Sequence, residues 1–194
     1  MNTAHDQPVV IILAAGKGER FRASGGRQHK LDAPIAGLPV LQHVIRAVEQ
    51  SGLQMYIVRS ASGPGMGDSI GAGVAAVPNA AGWLILPGDL PLVQPDSLQR
   101  VARALATHAV VLPQYQQQRG HPVGFRRDCF DALAGLSGAT GASAIVQARR
   151  RAGEVLDLVL DDAGIVSDID SVEDLARAEA MFTRMQASSA IGEK

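Results

Sequence analysis

Apolar and polar positions divide this chain into two kinds of segment. Short runs of consecutive apolar residues, many of them β-branched, are typical of buried strands, whereas apolar residues three and four apart are typical of helices. The runs predict strands at Val9–Leu13, Gln54–Arg59, Trp83–Leu86, Ala109–Leu112 and Val155–Leu160. The spaced patterns predict helices at Leu38–Gln50, Asp68–Val77, Pro95–Ala106, Asp128–Ala134, Ser143–Arg151 and Ser171–Met185.

This order of strands and helices predicts the fold class. Successive strand–helix units form mostly parallel sheets with helices on both faces. We therefore expect an α/β protein with a three-layer α/β/α, Rossmann-like architecture. No linker or repeat interrupts the pattern, so residues 1–194 are expected to form a single domain. Its ends, residues 1–7 and 186–194, are expected to be flexible.

Composition excludes several classes of partner. The formal net charge is −1 and only 4% of residues are aromatic, which argues against binding to nucleic acid or to an anionic membrane surface. The single cysteine, Cys129, excludes an internal disulfide and is expected to be a buried, inert thiol. No segment approaches the ~20 apolar residues of a membrane span, and no signal peptide is evident, so a cytoplasmic location is expected.

The first predicted strand ends in the most informative loop of the chain. The loop, Ala14–Arg20, contains small residues, Gly16, Gly18 and flanking cations. Glycine permits turns that direct several backbone N–H groups at one point, and nearby cations favour an anion there. The loop is therefore a candidate nucleotide site, with an ordinary strand-to-helix turn as the alternative.

Four cations in and after this loop could surround a triphosphate: Arg20, Arg22, Arg27 and Lys30. We expect two of them to contact it and the others to be solvated. The two standard phosphate loops do not fit. A Walker A sequence is absent, and Phe21 stands where the third glycine of the dinucleotide fingerprint would be. A nicotinamide-dependent dehydrogenase is therefore disfavoured.

Acidic residues follow the third predicted strand and precede the last helix. Asp89 comes directly after Gly88, and Asp168 and Asp170 flank Ile169. Ligands bind at the carboxyl ends of strands in such sheets, and Mg²⁺ takes one or two carboxylates together with water and substrate phosphates. Asp89 and Asp170 are therefore a candidate metal pair. The alternatives are a turn cap for Asp89 and stabilisation of the helix terminus for one of the others.

A third candidate segment, Gly120–Phe125, places His121 between glycine and Pro122. The imidazole could bind an acceptor phosphate or a pterin. A structural or simply exposed histidine is the alternative, and a role as catalytic base is not expected.

These motifs occur in the order found in a known family. They are Leu13–Arg20, Lys30–Leu31, Gly65–Ile70, Gly88–Pro91, Gly120–Phe125 and Asp168–Asp174. From about Val9 to about Ala180, the chain resembles the nucleotidyltransferases that mature the molybdenum cofactor, most closely the molybdenum cofactor cytidylyltransferases. The resemblance implies the Rossmann-like nucleotide-diphospho-sugar transferase fold.

The resemblance also implies roles for individual residues. The implied nucleotide-binding residues are Leu13, Ala14, Ala15, Gly16, Gly18, Arg20, Lys30, Ser69 and Asp89. Arg20, Lys30 and Asp89 are the implied catalytic residues, the two cations holding the triphosphate. Mg²⁺ is the implied cofactor, bound by Asp89 and Asp170, and His121 and Pro122 line the acceptor pocket. Ala15 stands where the first loop reads L-A-A-G in cytidylyltransferases and L-A-G-G in guanylyltransferases, which favours CTP.

The implied reaction transfers CMP from CTP to the phosphate of molybdopterin or the molybdenum cofactor and releases pyrophosphate, with a molybdoenzyme as candidate client. Two alternatives remain: a sugar 1-phosphate acceptor, or a non-catalytic maturation partner that binds nucleotide and cofactor. The second is suggested by Gly138–Ser143, where Ala139 and Ser143 replace the acid and arginine that the family usually carries. The first loop is lengthened before Lys30, and a short link between Gly52 and Gly65 suggests that one strand–helix unit is missing.

Overall fold

The computed structural model describes residues 7–192. The strands are β1 (Val9–Leu13), β2 (Pro34–Ile35), β3 (Leu38–Pro39), β4 (Gln54–Val58), β5 (Gly82–Pro87), β6 (Val110–Tyr115), β7 (Gln118–Arg119), β8 (Val123–Arg126) and β9 (Val155–Val159). The helices are α1 (Glu19–Ala23), α2 (Val40–Ser51), α3 (Met66–Ala76), α4 (Pro95–Ala104), α5 (Phe130–Ala134), α6 (Ser143–Arg151) and α7 (Val172–Gly192). Short 3₁₀ turns cover Lys30–Asp32, Arg127–Cys129 and Ala163–Val166.

Seven of these strands form one twisted sheet in the order β4-β1-β5-β8-β6, with β9 and β7 on opposite sides of β6. Strands β4, β1, β5, β6 and β9 run in one direction, because β8 is antiparallel to both β5 and β6. Strands β2 and β3 form a separate two-stranded ribbon. The prediction of a mostly parallel sheet is therefore confirmed.

Alternate residues of β1 enter different cores on the two faces of the sheet. Val10 and Ile12 pack with apolar residues of α2, α4 and α7. Val9 and Ile11 pack with those of α3 and α5. Successive side chains of a strand point to opposite faces, so a run of consecutive apolar residues requires helices on both sides. The predicted three-layer architecture is confirmed.

Strand β8 was not predicted from the sequence. Its short run contains Gly124, which weakens a strand pattern. The structure explains this glycine, since a Cβ there would lie 2.8 Å from Cγ1 of Val101 on α4. The close approach of α4 therefore requires glycine, and β8 inserts between β5 and β6 with the opposite direction.

The start of α2 and the end of α7 also differ from the predictions. Helix α2 begins at Val40 rather than Leu38, because Pro39 disfavours a helical conformation in the residue before it. Helix α7 continues to Gly192 and does not end at Met185; the residues that follow Met185 include no helix breaker before that glycine. At the other end, the carbonyl of Gln7 accepts from the N–H of Ala81 at 3.3 Å. Residues 1–6 and 193–194 lie outside the described residues.

Two expectations from composition can be compared with the structure. Cys129 is completely buried, and burial, the largest influence on its thiol, raises its pKa above 9.0. The predicted burial of Cys129 is therefore confirmed, and a buried thiol with a raised pKa is expected to be unreactive. Among residues 7–192, no helix is both long enough and apolar enough to span a membrane.

Candidate active site

A crevice opens at the carboxyl ends of β1 and β5, where ligands of such sheets bind. It contains two adjoining clefts of 410 and 260 Å³. Both clefts are lined by Ala15, Gly16, Arg20, Lys30 and Pro64. Backbone hydrogen bonds fix the base of the crevice: the N–H of Ala14 donates to the carbonyl of Val58, and that of Gly88 to the carbonyl of Leu13, both at 2.9 Å. The predicted nucleotide loop thus lies on a fixed sheet edge.

A histidine that the sequence analysis did not select holds this loop. Nε2 of His29 lies 2.8 Å from the carbonyl oxygen of Gly16, and its Nδ1 accepts from the N–H of Leu31 at 3.3 Å. Together these bonds assign the imidazole proton to Nε2. They connect the nucleotide loop to the 3₁₀ turn that begins at Lys30. In the sequence, the position of His29 directly before Lys30 could have indicated its role.

The short helix α1 presents Arg20 at the crevice and ends in a tight turn. The N–H groups of Gly25 and Gly26 donate to the carbonyls of Arg22 and Phe21, the pattern of a Schellman motif. Gly25 has a φ of 107°, which a side chain would strain. Phe21 is only 2% exposed and therefore anchors α1 in the core.

Lys30 joins the two carboxylates that were predicted as metal ligands. Its Nζ lies 2.6 Å from Oδ2 of Asp89 and 3.1 Å from Oδ1 of Asp170. The second oxygen of Asp170, Oδ2, lies 2.6 Å from Nη1 of Arg20. The Lys30 and Asp89 side chains are 14% and 16% exposed, whereas that of Arg20 is 80% exposed. The structure thus brings these four residues into one ion-pair network, which we call the Lys30 network.

The remaining cations of the loop lie outside this network. Arg22 donates from Nη2 to the carbonyl of Lys17 at 3.1 Å, which stabilises the loop backbone. Arg27 is exposed on the lengthened segment before Lys30. Of the four cations expected to surround a triphosphate, the structure therefore places two, Arg20 and Lys30, in the crevice wall.

The carboxylates of the Lys30 network stabilise the charged form of Lys30. Burial alone would lower the pKa of Lys30, but the charge and hydrogen bond of Asp89, followed by those of Asp170, raise it above 10.5. Oδ1 of Asp89 is buried and has no hydrogen-bond partner among the described residues. Such an orphaned carboxylate oxygen is available to a ligand.

The donor set fits a hard cation such as Mg²⁺ or Mn²⁺. Across residues 7–192, no three or more His, Cys, Asp or Glu residues are grouped so that they could hold a metal ion. Zinc and copper depend on histidine and cysteine ligands, whereas carboxylates and water suit Mg²⁺ and Mn²⁺. Mg²⁺ requires only one or two carboxylates, because water and substrate phosphates complete its octahedron. Asp89 and Asp170 supply two carboxylates, and Oδ1 of Asp89 has no partner among the described residues, so the pair meets that requirement.

Backbone contacts position Asp170 independently of its side chain. The N–H of Ile169 donates to the carbonyl of Asp89 at 3.0 Å. Oδ2 of Asp174 accepts from the N–H groups of Asp170 at 3.2 Å and Ser171 at 2.8 Å, and from the Ser171 hydroxyl at 2.6 Å. The Ser171 hydroxyl oxygen accepts in return from the N–H of Asp174 at 3.1 Å, a reciprocal cap at the start of α7.

Ser69 lies in the first turns of α3 and lines the smaller cleft. Its hydroxyl is 3.4 Å from the carbonyl of Gly65, and the residue is 8% exposed. Asp68 accepts from the N–H groups of Gly65 and Gly138, and so ties the loop after α5 to this helix. A Cβ on Gly65 would lie 1.9 Å from the carbonyl oxygen of Gly138, so glycine is required. Met66, 56% exposed and also in the cleft wall, was missed from the sequence.

His121 and Pro122 lie near the Lys30 network but do not line the two clefts. The His121 N–H donates to the carbonyl of Ile165 at 2.9 Å, and its Nδ1 is buried without a partner among the described residues. Burial lowers the pKa of His121 below 6.5, although Asp89 and Asp168 act in the opposite direction. The imidazole is therefore neutral at pH 7, and its role in acceptor binding stays a prediction.

Solved structures with the same fold include nucleotidyltransferases. Rv0371c from Mycobacterium tuberculosis H37Rv aligns with a TM-score of 0.72 at 24% identity, covering 90% of this chain and 98% of that one. A nucleotidyl transferase from Methanothermobacter, Mth528, aligns with a TM-score of 0.76 at 17% identity, covering 92% and 99%. A molybdopterin-guanine dinucleotide biosynthesis protein A from Archaeoglobus fulgidus aligns with a TM-score of 0.60 at 15% identity, covering 91% and 99%. This chain therefore has the α/β nucleotidyltransferase fold.

Sequence comparison places the chain more narrowly. Residues 10–152 match the MobA-like NTP transferase domain, and the chain belongs to this family. A curated relative, the bifunctional protein GlmU of Xylella fastidiosa strain 9a5c, is 31% identical in an alignment of 134 positions that covers 58% of this chain. The matched part spans only 29% of that relative's length.

Proposed function

We propose that this chain transfers CMP from CTP to the phosphate of a molybdopterin-type acceptor and releases pyrophosphate. The observation that carries the proposal is the position of the Lys30 network beside the glycine loop Ala14–Gly18. That arrangement offers two cations for a triphosphate and two carboxylates for a metal within one crevice. Family membership supports the reaction class, nucleotidyl transfer.

The reaction needs positioning and charge neutralisation more than a strong base. An oxygen of the acceptor phosphate attacks the α-phosphorus in line, the bond from that phosphorus to the bridging oxygen breaks, and the electron pair leaves with pyrophosphate. A phosphate monoester is already an anion near neutral pH, so no proton has to be removed first. Arg20 and Lys30 bind the β- and γ-phosphates and stabilise the leaving pyrophosphate.

Asp89 and Asp170 would hold Mg²⁺. When bound, this ion supplies charge neutralisation at the α-phosphate. The backbone from Leu13 to Gly16 holds the base and ribose, and the Ala15 methyl group favours cytosine over guanine. We expect His121 and Pro122 to lie beside the acceptor. Nδ1 of His121 has no partner among the described residues, and in the neutral ring it can accept a hydrogen bond.

Pyrophosphate release with each of the four nucleoside triphosphates and Mg²⁺ tests the proposal. Each is measured with molybdopterin, with a sugar 1-phosphate and with no acceptor. We expect pyrophosphate release only from the mixture that contains CTP and molybdopterin. Release with a sugar 1-phosphate instead would favour that acceptor class. CTP binding measured by calorimetry, without pyrophosphate release in any arm, would identify a non-catalytic maturation partner.

A further inference from the structure

Lys30 occupies the position between the two carboxylates at which a cation bound to both would lie. Its Nζ is within hydrogen-bond distance of Oδ2 of Asp89 and Oδ1 of Asp170. A magnesium ion binds carboxylate oxygens at about 2.0–2.1 Å and requires near-octahedral geometry. An ammonium group and such an ion cannot share these two oxygens, both for lack of space and because like charges repel.

The charges of the network indicate the same competition. Two carboxylates are balanced by one ammonium and one guanidinium group, so the network has no net charge in this arrangement. Among residues 7–192, the 80% exposed side chain of Arg20 pairs with a single atom, Oδ2 of Asp170. Lys30 is bound to both acids and is the more buried cation. Lys30 is therefore the side chain that a divalent ion would have to displace.

The surroundings of Lys30 allow the side chain to move while its backbone stays fixed. The residue begins a 3₁₀ turn capped by His29, whose ring accepts from the N–H of Leu31. Its flexible four-carbon stem lines both clefts of the crevice, and Ala15 and Gly16 of the nucleotide loop line the same two clefts. The ammonium group can therefore leave the carboxylates and remain in the crevice.

We propose that Lys30 and the divalent ion exchange places. The ammonium group holds Asp89 and Asp170 together before the ion binds, and it transfers to the polyphosphate when the ion takes the carboxylates. This inference rests on the proposed function, since it requires Asp89 and Asp170 to be the metal ligands. The exchange couples the two ligands: each should strengthen binding of the other by the same factor.

Mn²⁺ binding without nucleotide tests the exchange. Free Mn²⁺ is measured by electron paramagnetic resonance for the wild type, Lys30→Met and Arg27→Met. Lys30→Met should bind Mn²⁺ about tenfold more tightly than the wild type, within the usual range of coupling between two ligands. Arg27→Met removes the same charge from the same loop without touching a carboxylate, and should change binding less than about twofold. Lys30→Gln and circular dichroism check that the result is not a folding effect.

A second measurement follows the ammonium group itself. Acetylation of Lys30 by acetic anhydride, measured by mass spectrometry, should accelerate when Mg²⁺ is added, while that of the exposed Lys17 should not change. Equal Mn²⁺ affinity of Lys30→Met and Arg27→Met, or no change in Lys30 reactivity, would overturn the exchange alone. Absence of Mn²⁺ binding by all three proteins both without and with CTP would overturn the metal role in the proposed function as well.

Discussion

The backbone N–H of Ile169 donates to the backbone carbonyl of Asp89 at 3.0 Å. This bond connects the end of β5 to the residues before α7 without using either carboxylate. The alignment of Asp89 with Asp170 is therefore built into the main chain. Side-chain substitutions at these positions can consequently separate chemistry from folding.

The first prediction uses this separation. Asp89→Asn should lower kcat by about 10³-fold or more, because the substitution removes the charge that binds the metal beside the triphosphate. Stability should fall by no more than about 2 kcal/mol, since Lys30 retains Asp170 as a partner. Steady-state pyrophosphate release and urea unfolding measure the two effects. Asp157→Asn removes a surface acid paired with Arg150 and should keep full activity. Near-normal turnover of Asp89→Asn would contradict the metal role.

Base selection is the subject of the second prediction. Ala15 lines both clefts, and its methyl group narrows the space next to the nucleotide loop. Ala15→Gly should shift the ratio of kcat/KM for CTP to that for GTP by about tenfold toward GTP, the usual effect of one methyl group on discrimination. Ala14→Gly is the matched control, because Ala14 packs against the core. An unchanged ratio in Ala15→Gly would show that base choice lies elsewhere.

The third prediction concerns the glycines of α3, which cost the helix intrinsic stability. A Cβ at Gly73 would lie 2.4 Å from Cγ2 of Ile11 and 2.9 Å from Cγ2 of Val58. Alanine would improve helix propensity by about 1 kcal/mol, but overpacking of a core typically costs about 1–3 kcal/mol. Gly73→Ala should therefore lower the free energy of unfolding despite its better propensity.

Urea unfolding of Gly73→Ala alongside Ala75→Gly separates the two contributions. Ala75 is exposed on the same helix, so its substitution measures propensity alone and should cost about 1 kcal/mol. A Gly73→Ala protein as stable as the wild type would mean that the sheet yields to the added methyl group.

The fourth prediction is a pH dependence at the start of α7. The hydrogen bond from the Ser171 hydroxyl is the main cause that lowers the pKa of Asp174 below 3.8. A carboxylate with a lowered pKa in the folded state stabilises the protein fully above its unfolded pKa, and this stabilisation is lost as the pH falls through the folded value. Asp174→Asn should therefore cost about 1 kcal/mol at pH 6. The difference from the wild type should shrink below pH 3.8.

Thermal unfolding between pH 6 and pH 2 checks this dependence. Glu173→Gln removes a neighbouring exposed charge from the same helical turn and serves as the control. A stability difference between Asp174→Asn and the wild type that is independent of pH would assign the cap to geometry rather than charge.

Local pattern was sufficient to predict much of the fold. Five strands and the helices around them follow from runs of apolar residues and from helical spacing, because these patterns report burial directly. Strand β8 was missed since Gly124 is required by contact with α4, a tertiary constraint that no local pattern carries. The start of α2 was misplaced for the opposite reason: Pro39 is a purely local signal that the apolar spacing obscured.

The location of residues in the crevice could be predicted where the rule on strand ends applied, but not where a contact depends on the path of a loop. Residues after strand ends, such as Asp89, were accessible to reasoning because parallel strands gather their ends at one edge. The contact of His29 with Gly16 depends on the path of a lengthened loop. That path is fixed by the turn at Gly25 and by burial of Phe21, which spacing alone does not determine.

The family match ends at residue 152, yet Asp170 lies beyond it. The same distal segment also reaches back to the first loop, because the N–H of Val172 donates to the Ser24 hydroxyl at 3.0 Å. A protein shortened to the matched region would keep its glycine loop and Asp89 but lose half of the acidic pair. The crevice is therefore completed by a segment that lies outside the matched domain, so a minimal active unit has to include the residues up to the start of α7.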